Sequence, residues 1–170
     1  ASLSFKQRFY YVIDDSNTAT RTESDLMSIA SPTAASATTV PTYGWFLQFV
    51  VGERLITDSL AVKGVLFFST FNPAAAGVSR DTCNNLIECL MQRGAPRFYE
   101  MKYATGDAYA GSDRGTLKAN ATFLTNPVAY TSADQQMHVI FTSDNEVDII
   151  PVPGGTRTTL KDWKENERPK

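Results

Sequence analysis

The sequence predicts an all-β fold of antiparallel strands, arranged as a single domain over residues 1–170. Aromatic and β-branched residues recur in runs of strand length, and turn-forming Gly, Pro, Asn and Asp residues separate these runs. One modest helical pattern is present, at 86–91. Short strands spaced in this way are typical of a sandwich, a barrel or a propeller, and periodicity does not choose between them.

The first third of the chain predicts two strands on either side of a long loop. Residues 5–13 are aromatic and β-branched, and they end at the turn-forming run 14–17. Residues 28–43 are rich in Ser, Thr, Ala and Pro and have no apolar stripe, which predicts a surface loop. Residues 44–51 are nearly all apolar, as in a strand that is covered on both faces.

The middle of the chain predicts a hairpin followed by a second long loop. Residues 54–58 and 60–71 are expected to pair, and a two-residue turn is predicted at 63–64. The Asn-Pro step that follows opens a predicted loop over 72–96.

Further strands are predicted through the last third. Residues 97–104 alternate between apolar and polar and precede a turn at 105–107. The remaining predicted strands are 121–131, 137–142, 147–152 and 158–163.

Composition limits the classes of partner. The chain is 42% hydrophobic and 20% charged, which is enough apolar material for a core. Its formal net charge is -2 and its basic residues are scattered, whereas non-specific nucleic-acid binding needs clustered Lys and Arg. No apolar run approaches the roughly 20 residues of a membrane-spanning helix. We therefore expect no nucleic-acid partner and no membrane span. Because the first residue is Ala1, we also expect a fragment or a cleaved precursor.

The sequence offers few residues for metal or redox chemistry. Cys83 and Cys89 lie close enough for a short disulfide in an oxidising compartment, although two free thiols remain an alternative. His138 is the only histidine, so a multi-histidine metal site within the chain is excluded. The carboxylates of Asp14, Asp15 and Asp25 are expected in solvated turns rather than around an ion. No metal site and no cofactor are predicted.

Catalytic residues are not predicted either. Glu53 and Arg54 follow a glycine at the start of a strand, where a salt bridge or a loop-bracing role is expected. Glu53 and Asp58 could serve as an acid/base pair only with a raised pKa in a cleft. Aromatic residues at strand spacing are expected in the core rather than on a sugar-stacking platform. These aromatic residues are Trp45, Phe46, Phe67, Phe68, Phe71, Phe98 and Tyr99.

An ordered set of motifs covers nearly the whole chain. The set begins with an aromatic strand and Asp turn at 9–14 and continues with Gly44-Trp45-Phe46-Leu47. The next motif runs from Gly52-Glu53-Arg54 to Thr57-Asp58, and a Val-Leu-Phe-Phe strand then ends at Pro73. A strand that ends in Thr-Gly follows at 98–106, and the set closes with Asn126-Pro127-Val128 and the stretch around Trp163. In this order the motifs resemble the C-terminal propeller of the PilY1-type family of type IV pilus-associated proteins, in which the last two fit the final blade.

The resemblance implies both a fold and a function. It implies the last blades of a β-propeller, with a β-sandwich as the alternative. It also implies a non-enzymatic structural protein of pilus biogenesis, a pilus tip or surface adhesion, located outside the cytoplasm. The upstream blades of the family are missing here, so we expect a partner chain or a filament to complete the array. The family's calcium loop has no counterpart at 14–18, so calcium regulation is not implied. An alternative function is an extracellular β-sandwich module that binds carbohydrate or a protein surface.

Overall fold

A computed structural model of the chain confirms an all-β architecture. It describes residues 6–16, 19–29, 40–73, 94–110, 113–118, 121, 123–143 and 146–152, together with the backbone of 158–161. A single 3₁₀ turn, Glu23–Asp25, is the one helical element in these ranges. The strands are β1 Arg8–Val12, β2 Met27–Ile29, β3 Gly44–Gln48, β4 Arg54–Leu55, β5 Leu60–Val62, β6 Val65–Asn72, β7 Ala95–Lys102, β8 Gly115–Leu117, β9 Val128–Thr131, β10 Met137–Thr142, β11 Glu146–Val152 and β12 Thr158–Lys161.

The first sheet has the order β1-β3-β2. Strand β1 runs antiparallel to β3, and β2 runs parallel to β3 on the other side. The predicted loop 28–43 is wrong at its start, because Ser28 and Ile29 belong to β2 and pair with Phe46 and Leu47. Three residues are too few for a period of two to stand out from the Ser- and Thr-rich sequence that follows.

The second sheet is built around the long β6–β7 pair, which β4, β5 and β8 extend. The predicted hairpin between β5 and β6 is confirmed: Lys63 and Gly64 have φ of 44° and 88°, as a type I′ turn requires. The predicted loop 72–96 is wrong at both ends, because Asn72 pairs with Ala95 and Phe71 with Pro96. Strand β8 was not predicted.

The third sheet is a meander in which β9, β10, β11 and β12 pair in chain order. Strand β10 has the predicted bounds, and β11 begins one residue earlier than predicted. Strand β9 covers only the last part of the predicted segment 121–131. All pairs in this sheet are antiparallel.

The three sheets pack face to face, with the second sheet in the middle. One core cluster joins the first and second sheets, and a separate cluster joins the second and third. Strand β6 contributes Leu66 and Phe68 to one cluster and Val65 and Phe67 to the other, so both of its faces are buried. Double burial explains why its first four residues, Val65 to Phe68, are continuously apolar rather than alternating. Among the described strands no sheet closes on itself.

Candidate interaction surface

Glu53 is a buried carboxylate at the centre of a hydrogen-bonded network beneath the turn 50–53. The turn is closed by the Glu53 N–H, which donates to the Val50 carbonyl at 3.1 Å. A second hydrogen bond joins the same two residues, because Glu53 Oε2 accepts from the Val50 N–H at 3.3 Å. Its Oε1 accepts from the hydroxyls of Thr70 and, at 2.9 Å, Tyr99. Glu53 therefore ties the turn to β6 and β7.

A positively charged side chain of β7, Arg97, also lies close to the Glu53 carboxylate. The Arg97 Nε lies 3.6 Å from Glu53 Oε1, and both side chains are largely enclosed. Burial, followed by the Glu53 negative charge, raises the pKa of the Tyr99 hydroxyl well above its ordinary value. The Tyr99 hydroxyl therefore stays protonated and donates its hydrogen bond to Glu53. The bracing role expected for Glu53 is the one its contacts describe.

Asp58 forms its hydrogen bonds with Asn126 and not with Glu53. Its backbone N–H donates to the Asn126 side chain at 3.3 Å, and the Asn126 amide donates back to Asp58 Oδ2 at 3.4 Å. Asp58 thus links the second sheet to the segment before β9. The structure records no contact between the two carboxylates proposed as an acid/base alternative.

Trp45 connects the first two sheets, and Gly44 allows two strands of the first sheet to lie close together. The Trp45 side chain is fully buried, and its indole N–H donates to the Tyr103 carbonyl at 2.7 Å. Gly44 has φ of 116°, and a Cβ there would lie 2.0 Å from the Tyr11 carbonyl oxygen. Only glycine allows β1 and β3 to approach so closely.

The other motif residues lie around the edge of the second sheet. Thr57 lies between β4 and β5, which both pair with β6. Its hydroxyl accepts from the Ser69 N–H of β6 at 2.7 Å and so takes the place of a backbone acceptor at this point of the ladder. Gly52 lies in the turn that Glu53 closes, Arg54 is exposed in β4, and Pro73 is exposed directly after β6. Glu53, Thr57 and Asp58 thus join elements through hydrogen bonds, whereas Arg54 and Pro73 are exposed.

The predicted aromatic core is confirmed. Trp45, Phe67, Phe68, Phe98 and Tyr99 are fully enclosed. Phe46 is buried, and Phe71 is partly buried.

The polar residues considered for metals are used in local structure. Asp14 Oδ1 accepts from the Ser16 N–H at 2.9 Å, as expected for a turn carboxylate. Asp15 pairs with Arg21 at 2.7 Å, and Asp25 caps the 3₁₀ turn. His138 Nε2 lies 3.1 Å from the Ser132 hydroxyl. The part of the chain that the structure describes holds no group of three or more metal-ligating side chains.

Three predictions lie outside the described residues. These are the candidate disulfide between Cys83 and Cys89, the helical segment 86–91, and Trp163 of the closing motif. Within the described ranges, no helix is long and apolar enough to cross a membrane.

Those exposed large apolar side chains that belong to strands lie at the edges of the sheets, a feature that the sequence did not reveal, and five others in the described ranges lie in turns and loops. Every large apolar side chain that is exposed within a described strand lies on an edge strand. These residues are Tyr10 and Val12 in β1, Leu55 in β4, Leu117 in β8, and Val128 and Tyr130 in β9. The most exposed are Val128, at 60%, and Val12, at 57%.

A groove of about 700 Å³ lies beside β1. One wall is β1 itself, from Phe9 to Val12. The opposite side is formed by Ser59, Leu66 and the β5–β6 hairpin with Lys63 at its tip, and Tyr103 contributes an aromatic ring. The groove thus runs between two strand edges that belong to different sheets.

Comparison with known proteins adds no relative. No protein-family model, curated protein or solved structure matches the chain.

Proposed function

We propose that this chain is a non-enzymatic interaction protein of the bacterial cell surface, which forms the last blades of a larger β-array together with another polypeptide. Its setting is type IV pilus biogenesis, a pilus tip or surface adhesion. The ordered motifs from Gly44-Trp45 to Pro73 support the pilus setting by resemblance. The use of Glu53 as an internal acceptor, rather than as a group open to a substrate, supports a structural role.

The observation that carries the proposal is the placement of exposed apolar side chains on edge strands. An edge strand presents unpaired backbone groups, and soluble proteins commonly protect such edges with charge, proline or a covering segment. Here β8 and β9 present exposed Leu, Val and Tyr and contain no charged residue, whereas β1 and β4 present Tyr, Val and Leu beside the exposed charges of Arg8 and Arg54. Edges of this kind favour association, so a partner chain accounts for them.

Sedimentation velocity of the purified chain tests the proposal. We expect association through β9 that increases with protein concentration, because an uncovered apolar edge favours pairing with another chain. Val128→Thr keeps a β-branched residue in β9 but removes a methyl contact, and about fivefold weaker association is expected from the roughly 1 kcal/mol that such a group contributes. Thr131→Ser, an exposed change on the same strand, is the control and should leave association unchanged. A single monomeric species at every concentration, in wild type and variants alike, would overturn the proposal.

A further inference from the structure

We propose that the groove beside β1 accepts an extended β-strand of a partner protein, which pairs with the free edge of β1. The inference rests on the proposed function and identifies where, and by what chemistry, the partner binds. It commits to a strand rather than to a helix, a sugar or a second copy of this chain.

The backbone of β1 supplies the first argument. The Phe49 N–H donates to the Gln7 carbonyl at 2.9 Å, and the Ile13 N–H donates to the Tyr43 carbonyl at 3.1 Å. Hydrogen-bonded pairs recur every two residues in an antiparallel ladder, so Phe9 and Tyr11 also direct their backbone groups at β3.

Arg8, Tyr10 and Val12 therefore direct their N–H and C=O groups away from β3. Among the described strands, none pairs with β1 on that side. This spacing of donors and acceptors matches an extended strand, whereas a helix satisfies its backbone internally and cannot bond to an edge.

The layer below supplies the second argument. Ala61 in β5 is the cross-strand partner of Leu66, so the two side chains lie on the same face of the second sheet. Leu66 is buried beneath the first sheet, but Ala61 is exposed. The first sheet therefore ends above β6 and does not extend over β5.

Ring stacking places β1 directly above β6. The Phe9 and Phe68 rings are parallel, with centroids 4.4 Å apart. A strand hydrogen-bonded to β1 would lie about 4.8 Å to its side, and so over β5 and Ala61. It would give the first sheet a fourth strand above β5, which no described strand of that sheet covers.

The side chains around the groove define the partner further. The small side chain of Ala61 leaves room for small or β-branched residues on the inward face of the strand. Lys63 is exposed at the mouth and has no ion pair among the described residues, so an acidic residue near one end of the strand is favoured. Tyr11 already stacks on Trp45 and packs against Tyr103, which leaves its ring poorly available for a sugar.

Amide hydrogen exchange with a synthetic peptide tests the inference. The probe is a ten-residue peptide of alternating valine and threonine with one aspartate near an end. The control is the same peptide with alternate backbone nitrogens methylated, which removes the donors on one edge. We expect the first peptide to slow exchange at Arg8, Tyr10 and Val12 by at least about tenfold, the range of one to two hydrogen bonds. Exchange at Phe9 and Tyr11 should change little, and the methylated peptide should protect none of them.

Two variants separate backbone pairing from a general loss of fold. Val12→Pro removes an outward N–H without touching the β1–β3 ladder, and Val12→Ala keeps that N–H. We expect peptide protection to be lost in the proline variant and kept in the alanine variant, with equal thermal midpoints. Ala61→Trp should also block the peptide by filling the groove.

Other outcomes overturn the inference. Equal protection by both peptides, no protection by either, or protection by an oligosaccharide alone would each exclude a partner strand. Protection that grows with protein concentration without peptide would assign the edge to a second copy of this chain. If β9 still mediates association while the peptide does not bind, the proposed function stands and only this site is wrong.

Discussion

Glu53 shows how a residue that looks catalytic in sequence is used to hold backbone segments together. Its carboxylate accepts from Val50, Thr70 and Tyr99, which belong to a turn and two neighbouring strands. Removing one member of a buried charged network leaves the other members without partners, and this costs more than the contact itself contributes.

Glu53→Ala should therefore lower the free energy of unfolding by about 3–5 kcal/mol, the range for breaking a buried pair. Glu53→Gln keeps one oxygen acceptor and should cost less. Urea denaturation measures both variants. Asp134→Ala, at an exposed turn where the carboxylate accepts from the Ser132 hydroxyl and the Gln136 N–H, is the control and should cost no more than about 1 kcal/mol. Equal and small effects at Glu53 and Asp134 would contradict the bracing role.

Tyr99 predicts a loss of stability at alkaline pH. Its folded-state pKa lies above the ordinary tyrosine value of about 10, so folding favours the protonated hydroxyl. This contribution is complete below pH 10 and is lost as pH rises towards the folded pKa, at about 1.4 kcal/mol per pH unit.

Chemical denaturation between pH 8 and 11 measures this decline. At pH 8, Tyr99→Phe should have a lower free energy of unfolding than the wild type, because it loses the hydrogen bond to Glu53. Between pH 8 and 11 its free energy of unfolding should then fall by about 1.4 kcal/mol less than that of the wild type. Tyr130→Phe, at an exposed site, should retain the wild-type slope. If Tyr99→Phe has the same dependence of stability on pH as the wild type, the pKa of the Tyr99 hydroxyl is not raised by folding.

At the residue scale, the sequence indicated the role of Glu53 but not its partners. A glycine followed by a charged pair at a strand start predicts bracing. The contacts to Tyr99 and Arg97 join positions more than 40 residues apart, and strand register alone determines which of them meet.

Gly44 provides a prediction for the element β1–β3. Gly44→Ala would place its Cβ 2.0 Å from the Tyr11 carbonyl, so the strands must separate. We expect a loss above about 3 kcal/mol, or no folding. Gly64→Ala, which also has positive φ but no heavy atom within 4 Å of the added Cβ, should cost only about 1–2 kcal/mol. Thermal unfolding compares the two variants, and equal losses would contradict the close approach.

The elements that the sequence predicted well have strong local signals. Strand β10 contains a run of β-branched and aromatic residues from Val139 to Thr142, and the Lys63-Gly64 turn has a glycine at one of its two positive-φ positions. Strands β2 and β8 have three residues each, so pairing with a neighbour rather than their own pattern defines them. The predicted loops failed at their ends for the same reason, since Asn72 and Ala95 become strand residues through β6–β7 pairing.

At the scale of the whole molecule, the sequence predicted an all-β chain but not which edges would be exposed. The double burial of β6 follows from its apolar run, and that run requires a sheet on each side. Exposure of Tyr10, Leu55 and Val128 depends on which strand ends each sheet, and that is a property of topology rather than of any local segment.

Site-specific photocrosslinking in the native assembly tests the central claim most directly. A photoreactive aromatic residue would replace Val12 or Val128 on the edge strands, and Asp134 at the exposed turn between β9 and β10 as a control. We predict adducts to a separate polypeptide from both edge positions and none from the turn. Edge positions that yield no intermolecular adduct, in a chain that remains monomeric in its native setting, would contradict the account.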